Sequence, residues 1–361
     1  MRLYRKHSAG FTIPVFDLSR QNKIIWNEIE TAIHSVINSS DFILGKNVEK
    51  FEKEFAHYIG TKYAIGVSSG TDALFLSLKA LGIEGKEIIT PALSASATGL
   101  SILHAGAKPV FVDVKNNGLI DEDKIREKIT KNTAAILPVH LYGQPCNMKR
   151  LMEISNENSI EIIEDCCQAH GAEFSGKKVG SFGIGCFSFY PTKNLGCFGD
   201  GGIITTSDSK LVEKLKLLRN YGWKQKYISD IAGYNMRLDE LQAAILLAKI
   251  KYLDKWNKKR KSLAKLYDSM LDCGISIRDS VYHLYPIQHK KRDKLKSYLE
   301  KSSVGTNIHY PVPLHRQNAL KTSQVLPAAE KLCNSILSLP MFPELTEEEV
   351  GHVCDLINKL R

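Results

Sequence analysis

The chain has 361 residues, 43% of them hydrophobic and 24% charged, a globular balance that excludes a mainly disordered polypeptide and allows one large or two ordinary domains. Lys and Arg total 49 against 39 Asp and Glu, a net charge of +10 that suits an anionic ligand, although no nucleic-acid-binding motif accompanies it. No apolar run approaches the roughly 20 residues of a membrane span, and residues 1–16, with Arg2, Arg5, Lys6 and His7, hold no continuous apolar stretch of the kind a secretory leader needs; the expected compartment is the cytoplasm.

Residues 1–11 read as a loose extension, and 22–38 as a helix packing on a second domain. From about 50 to 220, strand-like and helix-like stretches alternate. Strands are expected at 63–68, 87–91, 109–114, 134–140, 160–165, 186–190 and 202–206. Helices are expected at 71–81, 94–104, 122–129, 148–156 and 210–219. Such alternation predicts an α/β domain with a largely parallel sheet, whose ligands bind beyond the carboxyl ends of the strands. From about Lys251 the pattern changes to a long amphipathic helix followed by shorter elements at 283–288, 292–301 and 306–310. The expected organisation is a large α/β domain over 1–250 and a smaller α+β domain over 251–361.

The densest basic run, Lys258-Lys259-Arg260-Lys261, shares its helix with Trp256, Leu263 and Tyr267, so it reads as the solvated face of an amphipathic helix. Eight cysteines include no CxxC pair, which argues against a zinc or dithiol site; all eight are expected to be reduced, and no metal centre is expected.

Three segments could carry chemistry. In Ser69-Gly70-Thr71-Asp72-Ala73-Leu74 a small polar turn joins a strand to a helix. Gly70 permits close backbone approach, and the Gly70 and Thr71 amides would face a phosphate at the helix start; the plainer reading is an N-cap by Ser69 or Thr71. In Ile162-Ile163-Glu164-Asp165-Cys166-Cys167-Gln168-Ala169-His170-Gly171 an apolar strand ends in acids at the ligand edge of the sheet. An Asp there can pair with a protonated ring nitrogen or be a solvated strand end; His170 reads as structural. In Phe187-Ser188-Phe189-Tyr190-Pro191-Thr192-Lys193-Asn194-Leu195-Gly196, followed by Gly199-Asp200-Gly201-Gly202, a Lys leaves an apolar strand into a Gly-rich turn. Desolvation would free its amine as a nucleophile; alone, such a Lys is more often a surface residue. Pyridoxal 5'-phosphate needs a Schiff-base Lys, a carboxylate on its ring nitrogen and a phosphate cradle, and the three segments offer all of these.

Over nearly its whole length the chain resembles the DegT/StrS-type nucleotide-sugar aminotransferases, which are fold-type I pyridoxal phosphate enzymes. The likeness rests on the three segments above, with Asp17-Leu18, Phe51-Glu52, Gly233-Tyr234-Asn235-Met236-Arg237-Leu238-Asp239-Glu240-Leu241-Gln242-Ala243-Ala244, His309-Tyr310-Pro311 and Leu337-Ser338-Leu339-Pro340. The resemblance implies that Lys193 bonds the coenzyme and shuttles protons, that Asp165 keeps the ring nitrogen protonated, and that Gln168 lies near the ring hydroxyl. It implies a phosphate site of Ser69, Gly70, Thr71 and Ser188, completed by Asn235 from the other subunit of a homodimer. Tyr190, Arg237, His309, Tyr310 and His315 are then candidates for substrate contact. Two positions depart from the family pattern: Ala95 stands where relatives place an aromatic over the ring, and Cys167 where Ala is usual.

The implied reaction moves an amino group from L-glutamate to a nucleotide-linked keto sugar. The 221–227, 233–235 and 309–317 segments look most like the branch acting on dTDP-3-keto-6-deoxyhexoses. A UDP-linked 3-keto sugar acid and a 4-keto sugar are the alternatives. A non-enzymatic amino-sugar-binding regulator and a dehydratase on the same fold are also open, and Lys193 argues against both.

Overall fold

A computed structural model describes residues 12–272, 275, 277 and 279–360; the extension expected at 1–11 and Cys273 lie outside the described residues. The chain opens with helices α1 (Leu18–Ile24) and α2 (Trp26–Ser39), and continues through α3 (Lys46–Ile59), strand β1 (Tyr63–Val67), α4 (Gly70–Leu81), β2 (Glu87–Pro91), α5 (Ser96–His104), β3 (Lys108–Val112) and β4 (Thr133–Ile136). Then come α6 (Met148–Asn158), β5 (Glu161–Asp165), a hairpin of β6 (Glu173–Phe174) and β7 (Lys177–Lys178), β8 (Ile184–Ser188), β9 (Gly202–Thr206) and α7 (Ser209–Arg219). A second hairpin, β10 (Trp223–Gln225) and β11 (Ile228–Ser229), leads to α8 (Glu240–Ile250), α9 (Leu253–Met270), β12 (Tyr285–Gln288), α10 (Arg292–Lys301), α11 (Pro327–Ser335), β13 (Ile336–Leu339) and α12 (Glu347–Asn358).

Seven strands form the central sheet in the order β1-β9-β8-β5-β4-β2-β3. Only β9 runs against its neighbours, β1 and β8; the other pairs are parallel. The expected α/β class with a mostly parallel sheet therefore holds. The inner strands are apolar because helices cover both faces, and Ile65, Ile88, Ile89, Ile136, Ile163 and Ile204 are all fully buried. A separate core joins α9, α10, α12, β12 and β13 through Leu263, Tyr267, Ile287, Leu295, Leu337 and Val353. Residues 314–336 add Leu314, Leu320, Leu332 and Ile336 to the core of the large sheet. Among the described residues no helix is long and apolar enough to cross a membrane.

Four local expectations change. The single helix at 22–38 is two, broken at Ile25. Its longer part packs on α8 and on the start of α9 through Ile25, Ile29, Ile245 and Trp256, and α1 meets α12, where Arg20 pairs with Glu349 at 2.7 Å. The stretch 122–129 forms two 3-10 turns, since so few residues seldom repay α-helix nucleation. The strand at 134–140 stops at Ile136 because Pro138 cannot donate to a ladder. The short element expected at 306–310 amounts to one bridge, Asn307 to Ser338, before Pro311 and Pro313 turn the chain.

Candidate active site

The ligand edge is assembled from β1, β5 and β8. Beyond β1, Ser69 caps α4 by accepting from the Asp72 amide at 3.0 Å, and the first intrahelical bond runs from Ala73 N to Ser69 O. Among the described residues the Gly70 and Thr71 amides meet no acceptor, so they stand as donors at the positive end of the helix. Gly70 lies against Ser188, and a Cβ there would fall 2.5 Å from Ser188 Cβ and 2.9 Å from Cys167 Sγ. The glycine brings the helix start and the end of β8 together.

At the end of β5, Asp165 is 5% exposed. Its Oδ2 accepts from Thr98 Oγ1 at 2.8 Å and its Oδ1 from the Cys167 amide at 3.2 Å. Glu164, on the opposite face, accepts from the amides of Gly180, Phe182 and Gly183 and faces His140 Nε2 at 3.2 Å. His140 Nδ1 accepts from Cys146 N, so Nε2 carries the hydrogen. These bonds commit the acid and the imidazole of the buried His140, Glu164 and Cys166 group to structural roles.

Lys193 follows β8 in a turn closed by Lys193 N to Tyr190 O and Cys197 N to Phe189 O, both at 2.8 Å. The side chain is half-buried, and among the described residues its amine makes no hydrogen bond or ion pair. Burial lowers its pKa from the usual lysine range, with Cys167 and Asp165 opposing, which favours a free amine. The next residue anchors the turn: Asn194 donates to Asn257 Oδ1 at 2.8 Å and to Val281 O at 3.1 Å, and faces His283 Nδ1 at 3.2 Å. Lys249, 1% exposed, donates to Gly196 O at 2.7 Å from behind. Burial pushes the Cys167 thiol well up, leaving it a packing group rather than a nucleophile.

Gln168 is held at both ends, accepting from Tyr142 N at 2.7 Å and donating to Tyr310 OH at 2.9 Å. Tyr310, Ala95, Ser96, Val312, Arg316 and Gln317 border a cavity of about 580 Å³, which places Tyr310 between Gln168 and open space. His309 accepts from Tyr142 OH through its carbonyl and turns its ring to Ser338. His315 does not join the site: its ring is fully buried against Glu330 at 2.9 Å, because the turn at 314–316 packs inward. Arg237 bonds Asn220, which also bridges Asn235; neither is bonded to Lys193, Asp165 or Ser188 within the chain. Tyr190 is 38% exposed beside Lys193. A larger cavity, about 1070 Å³, opens between the β6–β7 hairpin and α9 and includes none of the residues predicted from the sequence. Thr98, Tyr142, Lys249 and Asn257 escape sequence reading, since no local pattern marks them.

The donor set fits pyridoxal phosphate: two helix-start amides beside a hydroxyl, a buried carboxylate at a strand end, and an amine with no competing anion bonded to it. Residues 23–358 match the DegT/DnrJ/EryC1/StrS aminotransferase family, and the chain belongs to that family, whose members depend on pyridoxal phosphate. It is 44% identical to a dTDP-3-amino-3,6-dideoxy-alpha-D-galactopyranose transaminase of Aneurinibacillus thermoaerophilus, over 96% of this chain and 99% of that protein. It is 42% identical to a pleiotropic regulatory protein of Geobacillus stearothermophilus, over 96% and 97%. The crystal structure of Streptomyces venezuelae DesV in complex with a ketimine intermediate superposes with a TM-score of 0.94 at 40% identity, covering 96% of this chain and 98% of that one.

Proposed function

We propose that the chain transfers the amino group of L-glutamate to a dTDP-linked 3-keto-6-deoxyhexose, giving the 3-amino sugar nucleotide, and works as a homodimer with shared active sites. The observation that carries this reading is the half-buried Lys193 amine, its pKa lowered by burial, beside a strand that ends in the carboxylate of Asp165.

When bound, pyridoxal phosphate supplies a ring that accepts the electron pair released at the amino-bearing carbon. The protein's own groups bind, orient and move protons. The Gly70 and Thr71 amides, with Ser69 and Ser188, would hold the phosphate at the start of α4. Asp165 would accept the hydrogen bond of a protonated ring nitrogen. Gln168 would stand at the ring hydroxyl, with its two existing bonds fixing its direction. Lys193 Nζ, as a free amine, would take the proton from the amino-bearing carbon of the donor and deliver it to the coenzyme, and do the reverse for the keto sugar, the role of a positioned acid–base group. The partner's Asn235 would complete the phosphate cup. Tyr190, Tyr310 and His309 would contact the substrate, and Arg237 would meet an anionic group of the substrate.

A regulator that binds an amino sugar without chemistry is the second reading, favoured by the name of the Geobacillus relative. The two separate in one experiment. Protein given coenzyme should turn yellow, lose that colour with glutamate, and regain it with a keto sugar nucleotide. A panel carrying dTDP, UDP and GDP should show the dTDP 3-keto sugar turned over fastest. Protein that gains no colour from the coenzyme would reject the transaminase reading.

A further inference from the structure

Asp165 sits on β5 with its N–H and C=O both bonded to the segment after β4, Asp165 N to Pro138 O at 2.9 Å and His140 N to Asp165 O at 3.0 Å. What the strand leaves free is rotation of the carboxylate about Cβ–Cγ, a broad and nearly two-fold torsion. An acid that must offer one lone pair to one ring N–H needs that rotation fixed.

Two buried hydroxyls fix it. Thr98 Oγ1 donates to Asp165 Oδ2 at 2.8 Å, and Ser94 Oγ lies 2.7 Å from Thr98 Oγ1. A carboxylate only accepts, so the single Thr98 hydroxyl hydrogen goes to Asp165 and the Ser94 hydrogen must go to Thr98. The chain Ser94 to Thr98 to Asp165 therefore has one direction. Ser94 is 2% exposed and Thr98 is not exposed at all, so bulk water does not compete. Ser101 Oγ grips the Thr98 carbonyl at 2.9 Å, which holds the hydroxyl in place. Ser94 and Thr98 flank Ala95, the position without an aromatic ring. This segment thus acts on the acid by hydrogen bonding.

We propose that Thr98, oriented by Ser94, is the side-chain positioning residue for Asp165: with the Cys167 amide on Oδ1, its hydroxyl on Oδ2 sets the plane of the carboxylate that meets the ring nitrogen. The inference rests on the assignment of Asp165 to that nitrogen. A hydrogen bond to a charged group, once removed, leaves a buried oxygen unpaired.

The test uses full-length protein loaded with pyridoxal phosphate labelled with 15N in its ring. Three variants are compared with wild type: Thr98→Val, Thr98→Ser and Ser94→Ala. Coenzyme affinity and the ring-nitrogen chemical shift are read from pH 6 to 9. Thr98→Val is expected to bind about tenfold more weakly, the worth of one such bond, with its nitrogen signal moved toward the unprotonated value. Thr98→Ser should restore both, and Ser94→Ala should shift both in the same direction by a smaller factor. A role in packing alone would not move the nitrogen signal. Thr98→Val with wild-type affinity and shift overturns the proposal; if that variant does not fold, an unchanged shift in Ser94→Ala does so. A wild-type protein whose ring nitrogen is unprotonated, or whose Lys193 is not fixed to the coenzyme by borohydride, instead removes the assignment of Asp165 and Lys193 themselves.

Discussion

Gly70 and Ser188 touch at a point where no side chain fits: a Cβ on residue 70 would lie 2.5 Å from Ser188 Cβ and 3.1 Å from its Cα. The second of these contacts is with backbone at the end of β8, which cannot swing aside. Gly70→Ala should therefore push the start of α4 away from Ser188 and separate the donors of the phosphate site. Overpacking of this kind costs about 1–3 kcal/mol. The expected outcome is a lower melting temperature and a coenzyme affinity reduced about tenfold or more. Titration of the apoprotein with pyridoxal phosphate checks it; tight binding by the variant would show that the helix start does not hold the phosphate.

Lys193 is the second test. Lys193→Ala should still bind the coenzyme through the phosphate and ring contacts. It should not become covalently labelled on borohydride reduction, and transamination should fall by several orders of magnitude, as expected for a member of one catalytic unit. Mass spectrometry of the reduced protein and single-turnover rates read the two effects separately. Near-normal turnover would reject the role assigned to Lys193.

Shared sites make a quantitative claim. Lys193→Ala lacks the amine but keeps Asn235, and Asn235→Ala has the reverse defect. If the partner's Asn235 completes each site, random reassociation of equal amounts makes half the dimers mixed, and each mixed dimer has one intact site. Activity should recover to about a quarter of wild type, the arithmetic of a two-fold assembly. Rescue that stays at the level of the separate variants would mean that each chain uses its own Asn235.

Much of the fold is legible in the sequence where local pattern and burial agree. The turn at 69–71 and the strand ending at Asp165 declare themselves because apolar runs stop at small or polar residues, and parallel sheets bury such runs on both faces; the strand expected at 186–190 forms two residues earlier, at Ile184–Ser188. What the sequence hides is made by residues far apart. Glu240 accepts from the amides of Gly45, Asn47 and Val48 and so caps α3 from another element. Arg219 meets Glu52 at 2.5 Å and Gly66 O at 2.7 Å, fixing the strand that leads to Ser69. Thr98, Lys249 and Asn257 act on the site through one or two long-range hydrogen bonds each, which leave no periodicity to detect. His315 misleads for the opposite reason: its sequence neighbourhood suggests the site, but the 3-10 turn at 314–316 points it into the core.

His170 has a consequence for acid stability. Its ring is fully buried and packs against Phe187 and Phe189, and the Ser188 backbone opposes its loss of charge only weakly. Burial first, and nearby Lys193 second, push its pKa down to about 3. In the unfolded chain the same imidazole titrates near 6.5. Above that pH neither state holds the proton and stability is fully present. As pH falls below 6.5 the unfolded chain takes up a proton that the folded ring refuses, so stability is lost progressively down to about pH 3. At pH 5 this amounts to about 2 kcal/mol, at 1.36 kcal/mol per pH unit. His283, also held neutral by burial, adds a loss of the same sign. Urea unfolding of wild type and His170→Phe at pH 7.5 and 5 separates the two. The variant should lose about 2 kcal/mol less than wild type between those pH values, whatever its stability at pH 7.5. An equal loss in both proteins would mean that His170 is protonated in the folded state and has a charge partner.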